Sequence, residues 1–225
     1  MIRIVLINPN TSVATTAMMR AIAGATAPPG VAIAGITARR GVPMITEAAE
    51  LAASAAEVEA IGLRYAGDAD GIVVAAFGDP GLAALRRQIP IPVAGICEAA
   101  MREAAWPDGR ADRPTGRRFG VATITPGLAG PIAARARDLG LADLYTGIRL
   151  TEGAPAALAA DPPALEAALA EAVDLCIRRD GAEAVVIGGG PLGAAAGALA
   201  ERWAVPIIAP IPAAMRALLR AIGAA

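Results

Sequence analysis

The chain has 225 residues, with 20 basic and 21 acidic side chains, two cysteines and no histidine; 56% of it is hydrophobic and only 3% aromatic. This length suits one large α/β domain or two small ones, and it buries a core without covalent staples. Balanced charge without runs argues against a nucleic-acid or anionic-membrane partner, two cysteines cannot build a disulfide framework, and the lack of histidine removes Ser-His-Asp, Cys-His and imidazole–zinc chemistry.

The N-terminal MIRIVLINPN reads as a first strand rather than a signal peptide, and no uncharged apolar run reaches about 18 residues. A cytoplasmic protein is expected. Apolar runs bounded by turn signals lie at 2–7, 31–36, 71–76, 93–96, 120–124, 144–150, 184–187 and 207–209. Helical patterns lie at 13–24, 47–66, 80–88, 98–105, 127–138, 162–179, 193–202 and 212–223. Short apolar strands alternating with helices predict parallel sheets covered by helices.

The chain repeats itself. ADGIVVAAFGDPGL leading to IPIPVAGICEAAMREA is echoed by AEAVVIGGGPLG leading to WAVPIIAPIPAAMRAL, at an offset of about 112 to 114 residues. MIRIVLINPNTS pairs more weakly with RRFGVATITPGL. Two copies of one unit explain this. The expected fold is α/β, with two pseudo-symmetric Rossmann-like halves, each a mainly parallel sheet flanked by helices, and an active-site cleft between them. The polar linker WPDGRADRPTGRR marks the boundary, giving halves at 1–105 and 106–225. The sequence allows the last helix, about 206–225, to pack back on the first half.

Ligands of open α/β sheets bind outside the carboxyl ends of the strands, so four loops are candidates. NPNTS supplies Asn8, Asn10, Thr11 and Ser12, which suit a carboxylate or cyclic-amide cradle as well as an Asx-turn with a helix cap. AFGDPGL contains Phe77, Gly78 and Asp79, the last a natural helix cap. TITPG places Thr123 and Thr125 at a strand end before a proline-started helix. GGGPLG, with Gly188, Gly189, Gly190 and Pro191, exposes backbone N–H groups but is neither a dinucleotide fingerprint nor a P-loop.

INPNTS, AFGDPGL, PVAGICEAAM and VVIGGGPLG, in this order over nearly the whole chain, resemble the hydantoin racemase branch of the aspartate/glutamate racemase superfamily. The resemblance implies a small amino-acid-derived or hydantoin-type substrate held between the halves. It also implies cofactor-independent proton transfer by two cysteines that flank an acidic carbon next to a carbonyl. The sequence departs from that pattern at both thiols. Ala76 stands at the first cysteine position, and Gly189, with Gly188 as the other choice, at the second. Loss in this lineage and a deliberate Cys→Ala change both account for Ala76, whereas GGGPL reads as a natural glycine turn.

Three residues offer substitutes: Cys97 and Glu98 at the start of a helix, and Asp79. Each also has a plain structural reading, as buried thiol, dipole-favoured acid and helix cap. Cys176 sits among apolar helix positions and is expected in the core. Decarboxylases that resemble this superfamily retain a second-half thiol, which this chain lacks. The readings left are a racemase- or isomerase-like enzyme without the usual thiols, a non-catalytic binder of a small carboxylate or cyclic amide, and a structural role with a vestigial cleft. No metal or cofactor is implied, and a homo-oligomer is compatible with the sequence.

Overall fold

The computed structural model describes residues 1–107 and 116–224, so most of the predicted linker lies outside the described residues. The first half contains strands β1 (Ile2–Asn8), β2 (Val31–Thr37), β3 (Gly71–Val74) and β4 (Val93–Gly95). Its helices are α1 (Val13–Thr26), α2 (Ala48–Ala53), α3 (Ala55–Tyr65), α4 (Leu82–Gln88) and α5 (Ile96–Ala105). The second half contains β5 (Phe119–Thr123), β6 (Tyr145–Leu150), β7 (Ala184–Ile187) and β8 (Ile207–Ile208). Its helices are α6 (Ala129–Asp138), α7 (Pro155–Ala160), α8 (Pro162–Arg178), α9 (Gly193–Leu199) and α10 (Pro210–Ile222).

Both sheets are parallel and share one strand order, β2-β1-β3-β4 and β6-β5-β7-β8. The two-half α/β architecture expected from the repeat is therefore what the chain forms. All eight predicted strands are present, with ends moved by a few residues. The predicted helix over 47–66 breaks at Ser54, whose hydroxyl donates to the Leu51 carbonyl at 2.7 Å and ends α2. Short α7 was not foreseen; its proline start and Ala-rich six residues carry too little periodicity.

The inner strands of each sheet, β1, β3, β5 and β7, are almost wholly buried, as unbroken Val/Ile/Leu runs require when helices cover both faces. One core cluster runs through both halves, from Ile4, Leu6 and Met19 through Met101 and Met215 to Phe119, Val121 and Val186. Helices α5 and α10 pack on each other in the middle of that cluster. Buried Ala99, Ala100, Ala104, Ala213 and Ala214 leave room for this approach, and Arg216 pairs with Glu103 at its edge. Helix α10 also packs on α1, β3 and β4 of the first half, where Leu218 and Ile222 lie against Gly71. Cys176 is buried on α8, in the second half's own core.

Candidate active site

The carboxyl ends of β1, β3, β5 and β7 face one another across the join of the two halves. A cavity of about 90 Å³ lies there. From the first half it is lined by Asn8 at the end of β1, Pro9 and Asn10 after it, Thr15 and Met19 on α1, and Ala75, Ala76 and Phe77 after β3. The second half adds Ile124 and Thr125 after β5, Leu128, and Gly188 to Leu192 after β7.

The segment between β2 and α2 completes the wall with Met44 and Ile45, joined by Leu51 of α2. This segment is tied to the first loop by the Thr11 N–H, which donates to the Val42 carbonyl at 3.0 Å. It also crosses to the second half, where Met44 packs on the core of that half.

The NPNTS loop is held mainly by its own side chains. Asn8 is fully buried, and its amide nitrogen donates to Asn10 Oδ1 at 2.8 Å, Thr16 Oγ1 at 2.9 Å and the Ser12 carbonyl at 3.1 Å. Ser12 caps α1, its Oγ accepting from the Thr15 N–H at 3.1 Å. Asn10 Oδ1 accepts from Asn8 and from the Ser12 N–H, which leaves the Asn10 amide nitrogen without a partner among the described residues. Thr123 acts one layer back from the cavity, donating from Oγ1 to the Gly188 carbonyl at 2.6 Å and so fixing the glycine loop.

Both positions at which the resemblance puts a cysteine line this cavity. Val74 and Ile187 end equivalent strands, which makes Gly189 rather than Gly188 the counterpart of Ala76. Packing separates the two glycines in the same way. A Cβ on Gly188 would run into Val121 and Thr123 of β5, at 2.8 and 3.1 Å, whereas one on Gly189 would first meet the Leu192 side chain, at 2.8 Å. Neither the 76 nor the 189 position carries a thiol.

The three proposed substitutes do not line the cavity. Asp79 adopts a left-handed backbone, φ 54°, and turns its carboxylate onto the start of α5. There it accepts from the Cys97 and Glu98 N–H groups at 2.9 and 2.7 Å, and from Arg135 Nε of α6 at 3.2 Å. Burial pushes its pKa up to about 6, against the pull of Arg135 and of the two backbone donors. The carboxylate's approach requires Gly95, whose Cβ would overlap it.

Cys97 lies wholly inside the core with Met101 4.0 Å from its sulfur. Burial, and then the Asp79 charge, hold its thiol well above the ordinary range, so the helix start does not activate it. Burial opposes ionisation of Glu98 too, but the guanidinium groups of Arg86, Arg135 and Arg102 outweigh it and lower its pKa. Asp79, Glu98 and Arg135 thus form a structural knot between the halves.

Of the predicted binding residues, Asn8, Asn10, Phe77, Thr125, Gly188, Gly190 and Pro191 reach the cavity, while Thr11, Ser12, Gly78 and Thr123 stand behind it. The wall formed by Thr15, Met19, Met44, Ile45 and Leu192 was missed. Thr15 and Met19 share one face of α1 and could have been read from their i,i+4 spacing just after the loop. Met44, Ile45 and Leu192 carry no comparable signal.

Every described residue around the cavity is uncharged; none is Asp, Glu, Lys, Arg, Cys or Tyr. The backbone N–H groups of Ala76, Phe77 and Gly190, three of the lining residues, have no acceptor among the described residues. Such a site can hold a small polar ring by hydrogen bonds and apolar contact. It cannot move a proton between two side chains of its own. No helix among the described residues is long and apolar enough to cross a membrane.

Fold and site together define a doubled parallel α/β protein with a small-molecule cleft between its copies. Residues 4–218 match the family described as Asp/Glu/Hydantoin racemase, and the chain belongs to that family. It is 28% identical over 216 residues to a hydantoin racemase of Paenarthrobacter aurescens, covering 95% of this chain and 88% of that one. Among solved structures, an allantoin racemase from Klebsiella pneumoniae superposes with a TM-score of 0.88 at 32% identity, covering 100% of this chain and 90% of that one. An allantoin racemase from Pseudomonas fluorescens superposes with a TM-score of 0.89 at 27% identity, covering 99% and 92%.

Proposed function

We propose that the cavity binds a small, uncharged cyclic amide of the hydantoin or allantoin type and exchanges the hydrogen on the carbon beside its carbonyl, without a thiol pair. The observation that carries this reading is the uncharged wall. A free carboxylate or ammonium group would be buried there without a countercharge, at a cost of several kcal/mol by order of magnitude. A ring of alternating C=O and N–H groups instead finds donors and acceptors in Asn10, Thr15 and Thr125 and in the free backbone N–H groups. The relatives' names, hydantoin racemase and allantoin racemase, support the same substrate class.

The chemistry is proton transfer alone. The C–H bond breaks, its proton passes to water, and the electron pair moves into the adjacent carbonyl. The enolate oxygen is then met by backbone N–H donors, each worth roughly 10²–10³ in rate in sites built this way. Water returns a proton to the carbon. One specific observation favours a second reading, binding without turnover: among the described residues no ionisable side chain reaches the cavity to act as the base.

Exchange of the α-hydrogen in heavy water, followed by NMR, separates the two. The panel is 5-substituted hydantoins, allantoin, aspartate and glutamate, with an Ala76→Cys/Gly189→Cys variant alongside. Slow exchange of the cyclic amides and none of the amino acids is expected, with faster exchange by the variant. Calorimetric binding without exchange selects the second reading, and exchange of aspartate or glutamate overturns both.

A further inference from the structure

The two walls that flank the cavity are not equivalent, although the halves that supply them are copies. Leu192 lies where Asp79 lies in the first half, three residues beyond Gly189 as Asp79 is beyond Ala76. Asp79 is turned away from the cavity because α5 begins with N–H groups that need an acceptor. Helix α10 begins Pro210-Ile211-Pro212, and prolines have no N–H. Of the two N–H groups that hold Asp79 in the first half, only one has a counterpart at that helix start, on Ile211, and the residue equivalent to Asp79 is a leucine that turns to the cavity instead. Its Cδ1 and Cγ lie 2.8 and 2.9 Å from where a Cβ on Gly189 would stand, and it is 5% exposed. It therefore fills the room that a side chain at 189 would use. Across the cavity, Ala76 presents only a methyl group. The polar lining is uneven in the same sense, since Asn8, Asn10 and Thr15 belong to the first half and Thr125 alone to the second.

We propose that Leu192 is the specificity-determining residue of this site, filling the second-half wall so that a bound ligand has room for a water beside Ala76 and none beside Gly189. Resting on the reading above, this makes exchange one-faced. The proton leaves the carbon to water on the Ala76 side and returns from water to the same face, so configuration is kept while deuterium enters.

The filled wall is tested without any ligand by the rate at which iodoacetamide alkylates the thiol introduced by Ala76→Cys, by Gly189→Cys, and by Gly189→Cys/Leu192→Ala. Buried Cys97 and Cys176 supply only a slow background. The first variant is expected to react at least 10-fold faster than the second, and the double variant to come within about threefold of the first. Equal rates for the two single variants overturn the proposal. Should Gly189→Cys fail to fold, recovery of folding and of reactivity in the double variant supports it, and failure of both passes the decision to a ligand measurement. There, Leu192→Ala in the otherwise unaltered chain is compared with the parent for the two enantiomers of 5-benzylhydantoin. A parent preference of at least 10-fold that falls below threefold supports the proposal, and an unchanged preference overturns it. Deuteration by the parent that outpaces loss of optical rotation also supports it, while equal rates overturn it. If hydantoins do not bind at all, the substrate reading fails and the alkylation rates still decide the role of Leu192.

Discussion

Removing the carboxylate of Asp79 should loosen the join between the halves without touching the cavity lining. Asp79→Ala deletes two N–H···O bonds of 2.9 and 2.7 Å at the start of α5 and a 3.2 Å contact with Arg135. Breaking a buried charged contact from one side costs about 3–5 kcal/mol. Arg135 keeps Glu98 at 2.8 Å and is 20% exposed, which places the loss near the lower end. Alanine in the left-handed backbone that Asp79 adopts adds about 1 kcal/mol. The sum is about 4 kcal/mol at pH 7, read from urea unfolding with the slope unchanged.

The pH dependence gives a second handle on the same residue. Asp79 titrates near 6 in the fold against 3.8 for a free side chain, so the native state holds this proton more tightly. Its contribution is fully present below 3.8 and is lost as pH rises through 6. The cost of Asp79→Ala should therefore be about 1 kcal/mol larger at pH 5 than at pH 7. A loss below about 1 kcal/mol at pH 7, against the 3–5 kcal/mol of a broken buried pair, would refute the reasoning, as would a cost that shrinks on acidification.

Other outcomes follow from single contacts. Ser12→Ala removes the cap of α1 and should lower stability by about 1 kcal/mol in urea titration. Gly188→Cys should cost about 1–3 kcal/mol more than Gly189→Cys, because its Cβ meets two residues of β5 rather than the end of one leucine side chain. Met44→Ala opens the cavity wall and exposes the second-half core beneath it, and calorimetry should show weaker ligand binding with stability lowered by about 2 kcal/mol.

The sheets were legible because most strands are apolar runs closed within a few residues by Gly, Pro or Asx, and the repeat of AAMR tied the halves together. The site was legible only as loops. Sequence places Asn8, Phe77 and Gly188 at strand ends, but which side chain turns inward depends on what the neighbouring helix demands. Asp79 is the clearest case: the unpaired N–H groups of α5 draw it away from the cavity, and no local pattern shows that. Cys97 stands at a helix start as expected, yet burial inside the join raises its thiol. Arg135, which binds Asp79 and Glu98 across that join, is an ordinary helical arginine until the two halves meet. Met44 and Ile45 come from a connecting segment whose course only the assembled halves determine.

Helix α10 belongs to the second copy of the repeat but lies on α5, β3 and β4 of the first. Leu218 and Ile222 reach Gly71 from about 150 residues further along the chain. A ribosome that has released the first half has thus made a unit whose inner face is not fully covered until α10 emerges. Closing so long a loop is slow, and in the interval the apolar side of α5 is exposed to other chains. Assembly of this protein depends on α10, and a cut within that helix would harm the first half as much as the second.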